Sequence, residues 1–430
     1  MPNALTTLRE SFSPLQLPNF RLYLSGQFIS LSGTWLQNAA QSWLVWTLTG
    51  SESNLGIVGM LNSLPILLFG AWTGVWAERL NRRKLLIATQ LSAMTLAFIL
   101  GFLVQTDTVQ IWHVYVLSFI LGCVTAFDSP AQQAFLGDLS GLNQVRKAVN
   151  MNAMIFQVSR MIGPSLAAFL IGRVGQGPAF WLNGLSYLVV ILCLFGVQSQ
   201  QKVVDNSHVK PLREMRDAFR YWSKQPRLQD IFIFAGFVVF FVLPIVFYQL
   251  SAVADSMLGG DEGTFGLLAA LSGAGALVAV LIVVPLTQTH PRRGMVLLAS
   301  SVWTGIWLML FGLSSSVWLS GVAIFMGSVG LPTIMTMALA QSQIMVPGDM
   351  RARMVTLFTM VTFGLQPFAI LLVGQSAEHF GLPETIRACA ILVLLGSAAM
   401  YFFRDGLRDW QVREGAAPQP QPSIVAVETR

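Results

Sequence analysis

The sequence predicts an all-α membrane protein: twelve transmembrane helices in two pseudo-symmetric six-helix halves, with both termini cytoplasmic. Three observations predict it. First, 54% of the 430 residues are hydrophobic and only 11% charged, at a mean hydropathy of +0.62. Water-soluble domains carry roughly 25% charged residues, so this chain has too little charge to clothe a water-facing surface. Second, apolar runs near the ~20 residues needed to cross a bilayer recur along almost the whole length. Third, the cations are sorted between alternate loops.

Taken in order, the spans fall at 20–48, 54–77, 84–105, 110–129, 147–171 and 178–197, then 229–252, 264–286, 294–313, 317–337, 353–374 and 384–404. The first run starts near Phe20 and is long enough to span, so it is expected to be a retained helix and not a cleaved leader. Arg82 and Arg83 open the third helix, Pro130 closes the fourth, and Arg146 and Lys147 precede the fifth. The predicted organisation is a first bundle over 1–200, a cytoplasmic connector over 201–228, a second bundle over 229–404 and a disordered cytoplasmic tail over 405–430. In the connector, Leu212, Met215, Phe219 and Trp222 recur at helical spacing with Arg213, Arg216, Arg220 and Lys224 off that stripe. This predicts an amphipathic helix on the inner membrane face, near anionic lipid headgroups. The tail, with its APQPQPS stretch, has no apolar face to bury.

With the N-terminus inside, 23 of the 26 lysines and arginines fall on cytoplasmic segments, two (Arg173 and Arg387) fall outside, and Arg160 lies within a span. The excess of cations in short cytoplasmic loops fixes the orientation, and one missed helix would swap every later loop. The same distribution explains the net charge of +6 without nucleic acid. Cys123, Cys193 and Cys389 lie in apolar stretches, and the four histidines are scattered, so no metal set is predicted. Paired intramembrane aspartates, a His-Glu-x-x-His helix and a Gly-rich phosphate loop are all missing from the sequence. The chain therefore reads as neither an enzyme nor a nucleotide-driven pump, and no cofactor is expected.

The halves echo each other at an offset slightly over 200 residues: Arg82-Arg83 with Arg292-Arg293, Pro130 with Pro332, Pro164 with Pro367. Between the second and third spans the chain reads GVWAERLNRRK, from Gly74 to Lys84. This stretch resembles the signature of the major facilitator superfamily: Gly, three residues, Asp, Arg, any residue, Gly, then basic residues. Two departures stand out: Glu78 replaces the usual Asp, and Asn81 the usual Gly, a position where Asn tolerates a left-handed backbone. The second-half copy, VVPLTQTHPRR, keeps the arginines without the acid. The opening PNFRLYLSGQFISLSGTWLQ, together with AFDSPAQQAF and SRMIGPSLA in the fifth helix, resembles the superfamily's efflux branch, which includes the enterobactin exporter and multidrug exporters.

The resemblance implies a major facilitator fold that works by alternating access. It implies a conformational latch of Gly74, Glu78, Arg79, Arg82 and Arg83 with Asp128, holding the cytoplasmic side closed until a carboxylate is protonated. For the cations alone, topology retention is the simpler reading; for Asp128, an N-cap of the following segment is. Arg160 sits about 13 residues into the fifth span, close to the bilayer midplane. It shares a helical face with Gln157 and Pro164, next to Gly163, which predicts a gating or interface role between the halves, with direct substrate contact as the alternative. Gln27, Ser30, Thr34, Gln37 and Gln41 form one polar face on the first helix, which turns toward a cavity or a partner helix. The resemblance adds Tyr115, Phe119, Phe237, Phe241, Tyr248, Phe325 and Met326 as an aromatic and thioether wall, unless the stripe on the seventh helix faces lipid.

Such a cavity suits a hydrophobic or amphiphilic small molecule, a drug or siderophore-like compound. The function expected is proton-coupled export by a monomer in a bacterial inner (cytoplasmic) membrane. The competing readings are an importer or lipid flippase of the same fold, and a transporter-like sensor.

Overall fold

The computed structural model describes residues 13–141, 144–197, 211–288, 290–347 and 350–404. The first half comprises α1 (Pro18–Thr49), α2 (Glu52–Arg79), α3 (Arg82–Gln105), α4 (Ile111–Ser140), α5 (Val145–Val174) and α6 (Gly177–Gly196). A connector helix spans Pro211–Trp222. In the second half, α7 runs Pro226–Tyr248 and resumes as Leu250–Ala252 and a π-helical turn, Val253–Met257. Next come α8 (Glu262–Val278, a π-helical turn at Ala279–Val283, then Val284–Gln288), α9 (Arg293–Leu313) and α10 (Val317–Ile344). The chain ends in α11 (Arg351–Phe363, then Gln366–Phe380) and α12 (Leu382–Phe403). The tail over 405–430 lies outside the described residues.

Among the described residues, eleven helices, α2 to α12, are long and apolar enough to cross a membrane. The 32-residue α1 is longer than any of them, but its ladder of amides and hydroxyls dilutes its hydropathy. It is instead packed along α5 and α6.

Three helices depart from their expected ends. The fourth does not end at 129 but continues through Pro130 to Ser140, and the tenth, already expected to contain Pro332, runs on from 337 to Ile344. A proline inside a helix removes one backbone hydrogen bond and kinks the axis. Ending the helix there would free several backbone groups, which a membrane cannot hydrate. The stop comes instead at Gly141, whose φ of +71° suits glycine. The eleventh is interrupted at Gly364 and Leu365, just before Gln366-Pro367, because Pro367 has no N–H to donate to the Phe363 carbonyl four residues back.

Within the first half, α1 packs on α5 and α6, α2 on α4, and α3 on α4 and α6. The second half repeats this scheme, with α7 against α10, α11 and α12, and α9 against α10 and α12. The halves meet along two seams, α5 with α8 and α2 with α11. Small residues make such closeness possible. A Cβ on Gly273 would stand 2.8 Å from the Met161 Cα across the α5–α8 seam. One on Gly163 would stand 2.5 Å from the Trp35 Cβ and 2.7 Å from the Leu36 backbone nitrogen.

Candidate functional site

At the end of the bundle that carries the termini, Arg82 at the start of α3 pairs with Asp138 near the end of α4, Nη1 to Oδ1 at 2.6 Å. Arg83 donates to the Phe195 carbonyl at 2.8 Å, and its guanidinium lies 5.9 Å from the Phe195 ring centroid. The side chains of Gly74, Glu78 and Arg79, the remaining latch residues, lie outside the described residues. Asp128 does not join these arginines. It sits ten residues before Asp138, about 15 Å along the helix, inside α4 and not at the cap of a following segment. Its Oδ1 accepts from the Thr89 hydroxyl at 2.6 Å and the Gln90 amide at 3.1 Å, and its Oδ2 from the Gln132 amide at 2.6 Å. The arginine's actual partner, Asp138, falls in the eleven residues that an early end at 129 leaves out.

Asp128 faces a polar cavity of about 300 Å³ lined also by Gln27, Ser30 and Thr34 of α1, Asn152 of α5 and Tyr187 of α6. Thr34 and Tyr187 share a 3.2 Å hydrogen bond. The polar face of α1 is not one surface. Gln37 turns into the α1–α6 packing, where it accepts from the buried Asn183 amide at 2.7 Å. Gln41 donates to the Ser118 hydroxyl at 2.9 Å and lines a second cavity, of about 170 Å³, with Trp35, Asn38, Asn62, Phe247 and Tyr248.

A smaller void adjoins the second cavity and shares Trp35, Asn38, Ser42 and Phe247 with it. Arg160 and Pro164 line this void. Arg160 is 6% exposed. It donates from Nη2 to the Ser272 hydroxyl of α8 at 2.7 Å, and Ser272 in turn bonds Ser328 of α10 at 3.0 Å. Its guanidinium carbon lies 4.2 Å from the Phe247 ring centroid and 5.9 Å from that of Trp35. One helical turn away, the Gln157 side-chain oxygen is buried without a hydrogen-bond partner. Gly163 on the same helix lets α1 approach.

The aromatic wall differs from the one expected. Tyr248 lines the second cavity, but Tyr115, Phe119, Phe237, Phe241, Phe325 and Met326 line none of these three. Phe237 fills the space over Gly396 of α12 and stacks edge-on with Phe241 at 5.1 Å. Tyr115 donates to Asn54 at 2.5 Å, tying α4 to α2. Phe119 is half-buried. The Phe325 backbone closes on Gly275, and the Met326 carbonyl accepts from Trp303 at 2.8 Å. Phe234, Phe237 and Phe241 lie before Pro244 on α7, whereas Phe247 and Tyr248, after it, line the second cavity.

Away from the termini, a set of bonds that the sequence did not suggest ties the halves together. Trp46 donates to Asp255 at 2.8 Å, and Ser42 and Ser251 share a bond of 2.9 Å. Glu378 accepts from the Ser51 hydroxyl at 2.8 Å and the Ser53 backbone at 3.2 Å, and the Gln249 amide donates to the Glu52 carbonyl at 3.3 Å. Trp43 stacks on Phe265 at 5.7 Å.

Two helical halves, reciprocal seams and polar cavities between apolar spans define a multi-pass membrane transporter. The chain belongs to the transmembrane secretion effector family of the major facilitator superfamily, whose model matches residues 9–428. It is 24% identical to the staphyloferrin A transporter of Staphylococcus aureus over 90% of this chain and 97% of that one. It is 23% identical to the multidrug efflux pump Tap of Mycolicibacterium fortuitum, covering 87% and 93% of the two chains. Identity to macrolide efflux protein A of Streptococcus pyogenes is 22%, over 67% and 71%. Among solved structures, a bacterial homologue of the lysosomal transporter Spinster, inward-facing and occupied, matches with a TM-score of 0.71 at 12% identity, over 93% of this chain and 99% of that one. A POT family transporter matches with a TM-score of 0.74 at 9% identity, over 90% and 96%. These likenesses show the fold.

Proposed function

We propose that the chain is a proton-coupled exporter of hydrophobic or amphiphilic small molecules. It works by alternating access as a monomer with twelve crossings in a bacterial cytoplasmic membrane, both termini inside. The sorting of 23 of its 26 lysines and arginines onto one side supports the orientation. Relatives named for siderophore, macrolide and multidrug transport support the substrate class.

The observation that carries the coupling is Asp128. A carboxylate inside a membrane helix is costly and marks an ion pathway or proton relay. This one is held by three neutral donors and no cation among the described residues, at the wall of a polar cavity. Thr89, Gln90 and Gln132 stabilise the ionised form. A proton arriving through the cavity removes the charge and loosens those bonds, which gives the two states of the carrier different internal energies.

The test uses everted membrane vesicles carrying the wild type or Asp128→Asn, with erythromycin and the neutral dye N-phenyl-1-naphthylamine as probes and an imposed pH gradient. Wild type accumulates probe and loses it when a protonophore is added. The asparagine variant still exchanges probe down its own gradient but no longer concentrates it. Accumulation that ignores the gradient would remove the coupling, and net flux out of the everted vesicles would reverse the direction.

A further inference from the structure

Arg160 is a costly side chain to bury in the membrane part of this protein, and its described surroundings do not neutralise it. At the bilayer centre an arginine costs at least about 2.5 kcal/mol. Buried cations are ordinarily paired with a carboxylate, yet among the described residues none pairs with this one. Of the five N–H donors a guanidinium carries, one hydrogen bond is accounted for, to a neutral hydroxyl. The ring faces of Phe247 and Trp35 attract the cation without accepting a proton bond. If holding α5 against α8 were its only task, an uncharged amide reaching Ser272 would serve without that cost.

The geometry also leaves room beside it. The void lined by Arg160 adjoins the larger cavity with its rings and amides, and Trp35, Asn38, Ser42 and Phe247 line both. A charged group at one end of an otherwise apolar and amide-lined space is how pockets orient an amphiphile.

We propose that this compartment binds organic anions, with Arg160 holding a carboxylate or sulfonate by charge-assisted hydrogen bonds. Trp35, Phe247 and Tyr248 flank the apolar body of the molecule. This rests on the exporter reading above and adds amphiphiles carrying a negative group to its substrates. Arg160 is then a binding residue, and its bond to Ser272 places the bound anion on the seam between the halves.

Binding is measured on the full-length protein in nanodiscs of zwitterionic lipid, with empty discs subtracted. The probes are 8-anilinonaphthalene-1-sulfonate and its uncharged counterpart N-phenyl-1-naphthylamine. Wild type binds the sulfonate at one saturable site, and 2-naphthoate displaces it at least 10-fold better than 2-naphthamide. Arg160→Gln weakens the sulfonate at least 10-fold and leaves the neutral dye within twofold, while Arg160→Lys restores most of the loss. Equal displacement by naphthoate and naphthamide on wild type overturns the proposal, whether or not the variants fold. So does an Arg160→Gln protein that keeps wild-type sulfonate affinity, or one with an unchanged melting temperature that loses both dyes equally. Vesicle flux of the neutral dye is read separately: its absence counts against the exporter reading, and the binding comparison alone decides the anion site.

Discussion

Removing the two carboxylates that tie the halves together at the end away from the termini should open that end. Asp255 accepts one bond from Trp46 of the first half, and Glu378 accepts two, from Ser51 and Ser53. A hydrogen bond to a charged group contributes about 1.5–3 kcal/mol when shielded. Both acids are exposed to solvent here, so about 1 kcal/mol each is the appropriate scale. Asp255→Ala with Glu378→Ala then removes about 2 kcal/mol from the closed arrangement, which shifts the closed-to-open ratio roughly 30-fold. The Ser42–Ser251 and Gln249–Glu52 bonds remain, so the closed form is weakened and not abolished. The assay is double electron–electron resonance between spin labels at Thr106→Cys and Ser315→Cys, with Cys123, Cys193 and Cys389 replaced by alanine. The short-distance population should fall and a longer one appear, and each single variant should give about half the effect in free energy. An unchanged distance distribution in the double variant would refute the reading that these contacts hold that end of the halves together.

Two further perturbations read the packing. Arg82→Ala strands Asp138, whose side chain is 16% exposed. Breaking a buried pair from one side costs about 3–5 kcal/mol, so a loss of about 2–3 kcal/mol is expected here. Thermal unfolding of Arg82→Ala, Asp138→Ala and the double variant should show the double costing less than the sum of the singles. Gly163→Ala puts a Cβ 2.5 Å from that of Trp35 and should lower stability by about 1–3 kcal/mol. Gly70→Ala meets nothing nearer than 4.0 Å and should be neutral or slightly stabilising. Melting curves that ranked the two alanines equally would contradict the close approach of α1 and α5.

Much of the fold could be read from the sequence because a bilayer allows few solutions: apolar length marks a helix, and cation bias sets the sides. The site was less legible, for reasons tied to particular residues. Prolines are poor helix stops in a membrane, so reading Pro130 as an end hid Asp138 and left Asp128 as the nearest acid for the arginines. A helical stripe gives a face and not a depth, so Phe237 was read into the cavity, which Tyr248 of that stripe lines with its neighbour Phe247. The polar face of α1 was visible, but periodicity does not say which of its residues meet a neighbour. Gln37 meets Asn183, whereas Gln27 meets space. The bonds from Trp46 and Ser51 join positions with no local pattern between them, and only the assembled halves bring them together.

The spacing of these bonds also says where the symmetry axis of the two halves runs. Ser42 and Ser251, like Trp46 and Asp255, are 209 residues apart, nearly the offset of 210 between Arg82 and Arg292. Near-equivalent positions that touch each other lie beside the pseudo-two-fold axis, as in any self-complementary interface. The two seams obey the same symmetry reciprocally: the fifth helix of each half packs on the second helix of the other. Their chemistry differs. The α5–α8 seam is crossed at mid-depth by Arg160 and Ser272. In the other seam α11 is interrupted at Gly364, and the buried Gln366 side chain beside the break has no hydrogen-bond partner. Both seams therefore carry an interruption of the helical ladder, Pro164 in α5 and the π-helical turn of α8 in one and the break at Gly364 in the other, while the buried cation belongs to the first.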